Sequence, residues 1–216
     1  MKEETLVVHE IYRSIQGESS FQGEPCTFVR LTGCNLRCAW CDTPQAFYAG
    51  TRMKRQQVLE QALALGPGLI ELTGGEPLLQ PGVIPLLAEL CDAGRTVLLE
   101  TSGQADISRV DARVHRIMDL KAPISGESHR NRWENLSHLT QRDEVKFVLA
   151  GRADYEWMVE VIRSRKLAEL GCKLLASAVW GALDPKDLIA WLLADELPVR
   201  FNLQLHKVVW GDKSGV

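Results

Sequence analysis

Three cysteines, Cys34, Cys38 and Cys41, fall within eight residues in the pattern C-x3-C-x2-C. Thiolates held that close on one segment can converge on a soft metal centre. A structural zinc ion wants four protein ligands in a closed tetrahedron. Here the segment has no fourth cysteine, and the nearest histidines, His9 and His115, are far along the chain. An iron–sulfur cube held by three thiolates leaves one iron open to a further ligand, the asymmetry a reactive cluster requires. A reactive cluster, a zinc site and chance spacing are the three readings these residues carry by themselves. The other cysteines, Cys26, Cys91 and Cys172, sit among apolar neighbours and read as small buried hydrophobes.

The surrounding composition narrows the choice. With 216 residues, 45% of them hydrophobic and 25% charged, the chain is neither disordered nor a disulfide scaffold. The length suits one domain, residues 1–216, and falls short of the roughly 250 residues of a closed eight-unit β/α barrel. Lysine and arginine number 25 against 28 acids, which gives no electrostatic reason to bind nucleic acid or an anionic membrane. No apolar run reaches the roughly 18 residues of a membrane span. The first residues mix acids with few apolar side chains, so a signal peptide is not expected and a cytoplasmic location is. In that compartment thiols stay reduced, and clustered cysteines point to metal or catalysis.

The elements that must position the cysteine loop are short apolar runs alternating with amphipathic segments. Cys26–Thr32 reads as a strand leading directly into the loop. Further strands are expected at 69–72, 96–100, 116–120, 145–149, 173–176 and 199–205, the last of these carrying into a tail with His206. Val83, Leu86, Leu87 and Leu90 share one helix face, as do Tyr155, Met158, Val159 and Ile162, with Asp154 expected as N-cap. Asp184-Pro185 opens a further helix that buries Leu188, Trp191 and Leu192. Apolar strands with helical crossovers predict a parallel sheet whose chemistry sits at the strands' carboxyl ends.

At one such end stands Thr73-Gly74-Gly75-Glu76-Pro77. With the C-x3-C-x-aromatic-C loop after the first strand, this G-G-E-P element resembles the radical S-adenosylmethionine superfamily. Three more segments, Ile11–Glu18 (I-x-x-S-I-Q-G-E), Cys41-Asp42-Thr43 and the stretch from Leu203 to Val216, resemble one small family within it, the 7-carboxy-7-deazaguanine synthases. The resemblance runs from about Val8 to Val216. It implies an incomplete, open β/α barrel of about six parallel strands. It also implies a ring contraction: a 5′-deoxyadenosyl radical abstracts hydrogen from 6-carboxy-5,6,7,8-tetrahydropterin. The rearranged substrate then loses ammonia to give 7-carboxy-7-deazaguanine, a precursor of queuosine.

Residue by residue, the resemblance places a [4Fe-4S] cluster on Cys34, Cys38 and Cys41. It places S-adenosylmethionine against Trp40, Cys41, Asp42 and Gly75, against Asp119-Leu120-Lys121, and against Ser177-Ala178-Val179. The pterin falls to Ile15-Gln16-Gly17, Arg30, Thr73 and the terminal Val216, and a magnesium ion to the Thr43 hydroxyl. These types suit their tasks: an arginine fork fits a carboxylate, a glutamine offers donor and acceptor to a pyrimidine edge, and magnesium prefers hard oxygen. Glu18 reads as an orienting residue. The segment Glu100–Gly103 either touches the cofactor or forms a cap. Ser19 stands where the family usually has glycine, and Leu120 where many members have proline. A homodimer covering the open sheet's edges and an electron donor such as flavodoxin or ferredoxin complete the expectation. The competing enzyme reading, an activase of glycyl-radical enzymes, lacks the C-D-T and tail segments.

Overall fold

The computed structural model describes residues 5–211 and 213. Nine strands form one sheet in the order β3-β1-β2-β4-β5-β6-β7-β8-β9. Its parallel part comprises β2 (Pro25–Leu31), β4 (Leu69–Gly74), β5 (Thr96–Thr101), β6 (His115–Leu120), β7 (Glu144–Leu149), β8 (Lys173–Ala178) and β9 (Val199–Phe201). That is seven strands against the six expected. Two antiparallel strands extend one edge: β1 (Thr5–Ile15) lies on β2, and β3 (Thr51–Lys54) lies on β1. The strand order runs from β3 to β9 without returning on itself, so the barrel is open.

Alternation along each strand decides what faces where. In β4, Ile70 and Leu72 join the main core, which also holds Val83, Leu86, Leu87 and Leu90 of α2 (Val83–Asp92). Glu71 and Thr73, between and after them, face the concave interior and line its cavity. Helix α3 (Arg152–Ser164) buries Tyr155, Met158, Val159 and Ile162, as the periodicity predicts. Helix α4 (Pro185–Ala194) buries Leu188 and Leu192, and its Asp184 cap accepts the Lys186 N–H at 2.9 Å. Helix α1 (Arg55–Ala64) leads from β3 towards β4.

Two local expectations are corrected. Asp154 is not the N-cap of α3; Gly151 is, and Asp154 lies in the first turn. Its carboxylate accepts the N–H groups of Ala150 and Ile124, each at 2.9 Å, so it ties the helix start to the loop after β6 instead. The final strand stops at Phe201 rather than Leu205, and His206 belongs to helix α5 (Leu205–Trp210). The chain leaves the sheet because it has another partner. Leu205 N–H donates to the Gly17 carbonyl at 2.8 Å, and the Gln22 side chain donates to the Leu203 carbonyl at 2.5 Å.

The β1–β2 connection, residues 16–24, closes the lower end of the barrel. Ser20 N–H reaches the Glu144 carboxylate at the start of β7, and Phe21 packs edge-on against His115 at the start of β6. Ser19 turns this loop with φ +60 and is fully buried, its hydroxyl accepting the Phe21 N–H at 3.1 Å. A left-handed backbone at a non-glycine residue is strained by about 1–2 kcal/mol, a cost that a glycine at this place would not carry.

A buried ion pair fixes β6 against β7 at the same end. Asp143 accepts from Arg116 Nε at 2.9 Å and Nη2 at 2.6 Å, from the Arg116 N–H, and from both donors of Thr140. Asp143→Ala leaves a buried guanidinium without its anion, and the unfolding free energy in urea is expected to drop by about 3–5 kcal/mol. A drop below about 1 kcal/mol contradicts that account.

Candidate active site

The upper end is built on backbone contact. Gly75 N–H donates to the Leu31 carbonyl at 3.1 Å, and Glu76 N–H to the Gly33 carbonyl at 2.8 Å. The G-G-E-P turn therefore runs directly against the start of the cysteine loop. Gly74 has φ +138, and a Cβ there would collide with the Leu31 backbone. A Cβ on Gly75 would collide with the Gly33 carbonyl and Cys34. Both glycines are thus demanded by close approach.

Glu76 holds the turn in place. It is buried, and its carboxylate accepts from Leu78 N–H (3.0 Å), Thr101 Oγ1 (2.9 Å), Ser102 N–H (2.7 Å) and Ser102 Oγ (2.6 Å). Thr101 and Ser102 at the end of β5 therefore serve as its clamp, and both also line the cavity.

Cys34, Cys38 and Cys41 are free thiols, half-buried, and line one cavity of about 860 Å³. Burial pushes all three upward, Cys38 to about 11. Loading a metal centre here must therefore release protons, and Lys121 beside them favours the thiolates. Among the described residues no three cysteine, histidine or carboxylate side chains gather as a single-ion site needs. Three half-buried thiols on one cavity are the soft donor set that an iron–sulfur cube takes. Across the cavity, Asp119 pairs with Lys121 at 2.9 Å through one oxygen. Its other oxygen is buried with no partner among the described residues, an acceptor suited to a polar cofactor.

The cavity floor is ionic. Gln16 reaches up from the lower loop, donating to Glu71 at 2.7 Å and accepting the Glu18 N–H at 2.5 Å. Lys146 of β7 bonds Glu18 at 2.8 Å and also Glu100, with Asp119 at 4.0 Å. Glu100 accepts from Thr73 Oγ1 at 3.2 Å, and Glu18 from Gln204 at 2.8 Å. Burial alone would lower Lys146, yet Glu100, Glu18 and Asp119 hold it well above the usual lysine range. Burial would raise Glu100, but Lys146 outweighs it and holds that carboxyl down to about 2. Glu71 has no such cation; burial, then Glu100, push it up to about 8.

Most of the residues expected at the site meet at this cavity. Ile15, Gln16, Gly17, Arg30 and Thr73 line its wall and floor, and Trp40, Asp42, Thr43, Gly75, Asp119, Lys121 and Val179 its mouth. Gly17 is in close approach to His206, whose ring a Cβ would strike. Arg30 is already engaged, by Glu10 at 2.8 Å and the Tyr12 hydroxyl at 3.0 Å. The Thr43 hydroxyl donates to Asp42 at 2.8 Å. Leu120 points into the main core. Ser177 is buried and bonded to Asn202 at 2.9 Å, and Ala178 lines a neighbouring cavity of about 510 Å³. Val216 lies outside the described residues. Sequence reasoning missed Glu10, Tyr12, Glu71 and Lys146. For the last two the available signal was one ionisable residue inside an otherwise apolar strand.

An open, mostly parallel barrel with a three-cysteine loop after its first parallel strand defines a radical S-adenosylmethionine protein, and residues 28–175 match the family model described as the Radical SAM superfamily. The 7-carboxy-7-deazaguanine synthase of Chlorobaculum tepidum is 46% identical over 219 residues, covering 99% of each chain. That of Koribacter versatilis is 44% identical over 219 residues, covering 95% of this chain and 97% of its own. Within the superfamily, the chain belongs to the 7-carboxy-7-deazaguanine synthase family. In fold it is similar to QueE from Escherichia coli, with a TM-score of 0.73 at 21% identity, covering 94% of this chain and 95% of that one.

Two outcomes follow from this geometry. In Glu76→Gln one acceptor oxygen becomes an amide facing N–H and O–H donors, so unfolding free energy should fall by about 1–3 kcal/mol, with less iron retained per chain after reconstitution. Unchanged stability and iron content would dismiss the clamp. For Glu71, the folded carboxyl titrates near 8 against 4.5 unfolded. The native state thus keeps a proton that the unfolded state has lost. Its contribution is fully present below about pH 4.5 and is lost as pH rises to about 8. Urea titrations of wild type and Glu71→Gln should converge on this difference, the decline being present in wild type and flattened in the variant.

Proposed function

We propose that this chain converts 6-carboxy-5,6,7,8-tetrahydropterin to 7-carboxy-7-deazaguanine with loss of ammonia. The observation that carries the reading is one cavity with the three cysteines at its mouth and Gln16, Arg30 and Thr73 on its wall and floor. When bound, a [4Fe-4S] cluster on Cys34, Cys38 and Cys41 with S-adenosylmethionine supplies one-electron, hydrogen-abstracting chemistry. The chain's own residues then bind, orient and enclose. Trp40, Cys41, Asp42 and Gly75 receive S-adenosylmethionine along the loop, with Asp119 and Lys121 opposite, and the 177–179 segment beside them. Ile15, Gln16, Gly17, Arg30, Thr73 and Val216 hold the pterin. Arg30, kept cationic between Glu10 and Tyr12, turns its remaining donors to the substrate carboxylate.

The Thr43 hydroxyl would give a magnesium ion a hard oxygen of the kind it prefers. The enzyme works in the cytosol as a homodimer and takes its electrons from a small flavodoxin- or ferredoxin-type donor. Among the described residues no helix is long and apolar enough to cross a membrane.

The test is anaerobic turnover of the reconstituted protein with 6-carboxytetrahydropterin, S-adenosylmethionine, magnesium and a strong reductant, followed by mass spectrometry. A deazapurine is expected over several turnovers per S-adenosylmethionine, with a clear loss of magnesium response in Thr43→Ala. Formation of 5′-deoxyadenosine and methionine without a deazapurine would overturn the substrate.

A further inference from the structure

The acids on the cavity floor differ in one respect. Glu18 and Glu100 share Lys146, Asp119 holds Lys121, and on the adjoining wall Glu10 holds Arg30. Glu71, 1% exposed, has no cationic partner among the described residues. One of its oxygens accepts from Gln16 Nε2 at 2.7 Å. The other has no hydrogen-bond partner among the described residues, although the side chain lines the cavity. That oxygen opens on the cavity, where a donor on a bound molecule can reach it.

Its neighbours say what shape that something has. Phe28 stands in register beside Glu71 on the adjacent strand β2, on the same face of the sheet. Tyr12 stacks on Phe28 with ring centroids 5.1 Å apart, and both rings line the cavity. A flat wall therefore ends at a free carboxyl oxygen, an arrangement suited to a planar heterocycle whose edge carries N–H donors. The Gln16 amide beside it is fixed at both ends, its nitrogen on Glu71 and its oxygen on the Glu18 N–H.

We propose that Glu71 is the specificity-determining residue for a 2-amino-pyrimidinone edge: its free oxygen accepts from the exocyclic 2-amino group of a planar bicycle lying along Phe28, while its other oxygen holds Gln16. This rests on the pterin reading above and assigns the atom that reads the ring. The ionisable groups facing Glu71 are Tyr12 of β1, Glu18 of the lower loop, Cys26 of β2, Glu100 of β5 and Lys146 of β7. Lys146 is occupied by two carboxylates already, so a ligand's donors are what can satisfy Glu71.

The experiment uses unreactive, fully oxidised probes and the reconstituted holoprotein at neutral pH. Binding of 6-carboxypterin is compared by fluorescence with that of 6-carboxypteridin-4-one, which has hydrogen in place of the 2-amino group. A hydrogen bond to the Glu71 carboxyl predicts roughly a five- to tenfold preference for the aminated ring in wild type. In Glu71→Gln, whose amide can keep the Gln16 contact, the preference should shrink to about threefold or less, with affinity for the deaminated ring unchanged. Glu71→Leu, which removes the buried carboxyl altogether, should lose the preference in the same way and guards against misfolding of the first variant. Equal binding of both rings by wild type, or a preference that survives both substitutions, overturns the assignment of Glu71. Binding of neither ring by wild type overturns the pterin reading itself, and this inference with it.

Discussion

The ammonium of Lys146 is what the interior of this barrel is organised around. A parallel strand buried on both faces is normally apolar throughout, yet β4, β5, β6 and β7 each carry an ionisable side chain inward. Such a layer is tolerable only when its charges answer one another. Lys146 does this for three elements at once, bonding Glu100 of β5 and Glu18 of the lower loop with Asp119 of β6 close by. Asp119 and Lys146 are also direct register partners across the β6–β7 ladder. The same contact that neutralises the interior therefore fastens the lower loop to the sheet. It adds to the Ser20–Glu144 and Leu205–Gly17 contacts that hold the same loop.

Above this layer a different kind of precision takes over. At the mouth the cysteine loop and the G-G-E-P turn meet through backbone groups, with no side chain between them, and the Glu76 carboxylate gathers four donors from two strand ends. Backbone contact and a saturated buried acceptor leave little freedom, as suits a site that must hold reacting atoms about 3–3.5 Å apart. The floor, by contrast, is held by side chains that retain unused acceptors. One end of the cavity is shaped for a fixed cofactor and the other for selecting what lies against it.

How much of this was legible depended on the kind of signal. Apolar runs with βα spacing revealed the parallel strands because burial on both faces leaves an uninterrupted hydrophobic stretch. The cysteine spacing and the paired glycines were legible because each residue type has few alternatives at its place. Strand β1 was not read as a strand, since His9, Glu10, Tyr12, Arg13 and Ser14 give it the polar surface of an edge ladder. The tail was read as a longer strand because Val199–Leu205 alternates well, and only the tertiary bond from Leu205 to Gly17 reveals why the chain turns away. Glu71 and Lys146 passed as flaws in apolar strands. Their meaning appears when four neighbouring strands are laid in register and each is seen to bring an ionisable group to the same side.

The stoppered lower end has a further bearing on traffic. Residues 16–24 cover the starts of β6 to β8, and α5 leans against the same loop through Leu205, so the described residues cover the cavity at that end, opposite the cysteine loop. A vessel covered at one end imposes an order on ligands that enter by the other. A ligand entering past the cysteine loop reaches the floor before the mouth is filled, and leaves by that route after the mouth has cleared. Shape alone thus couples the two ligands in time, with no moving part required.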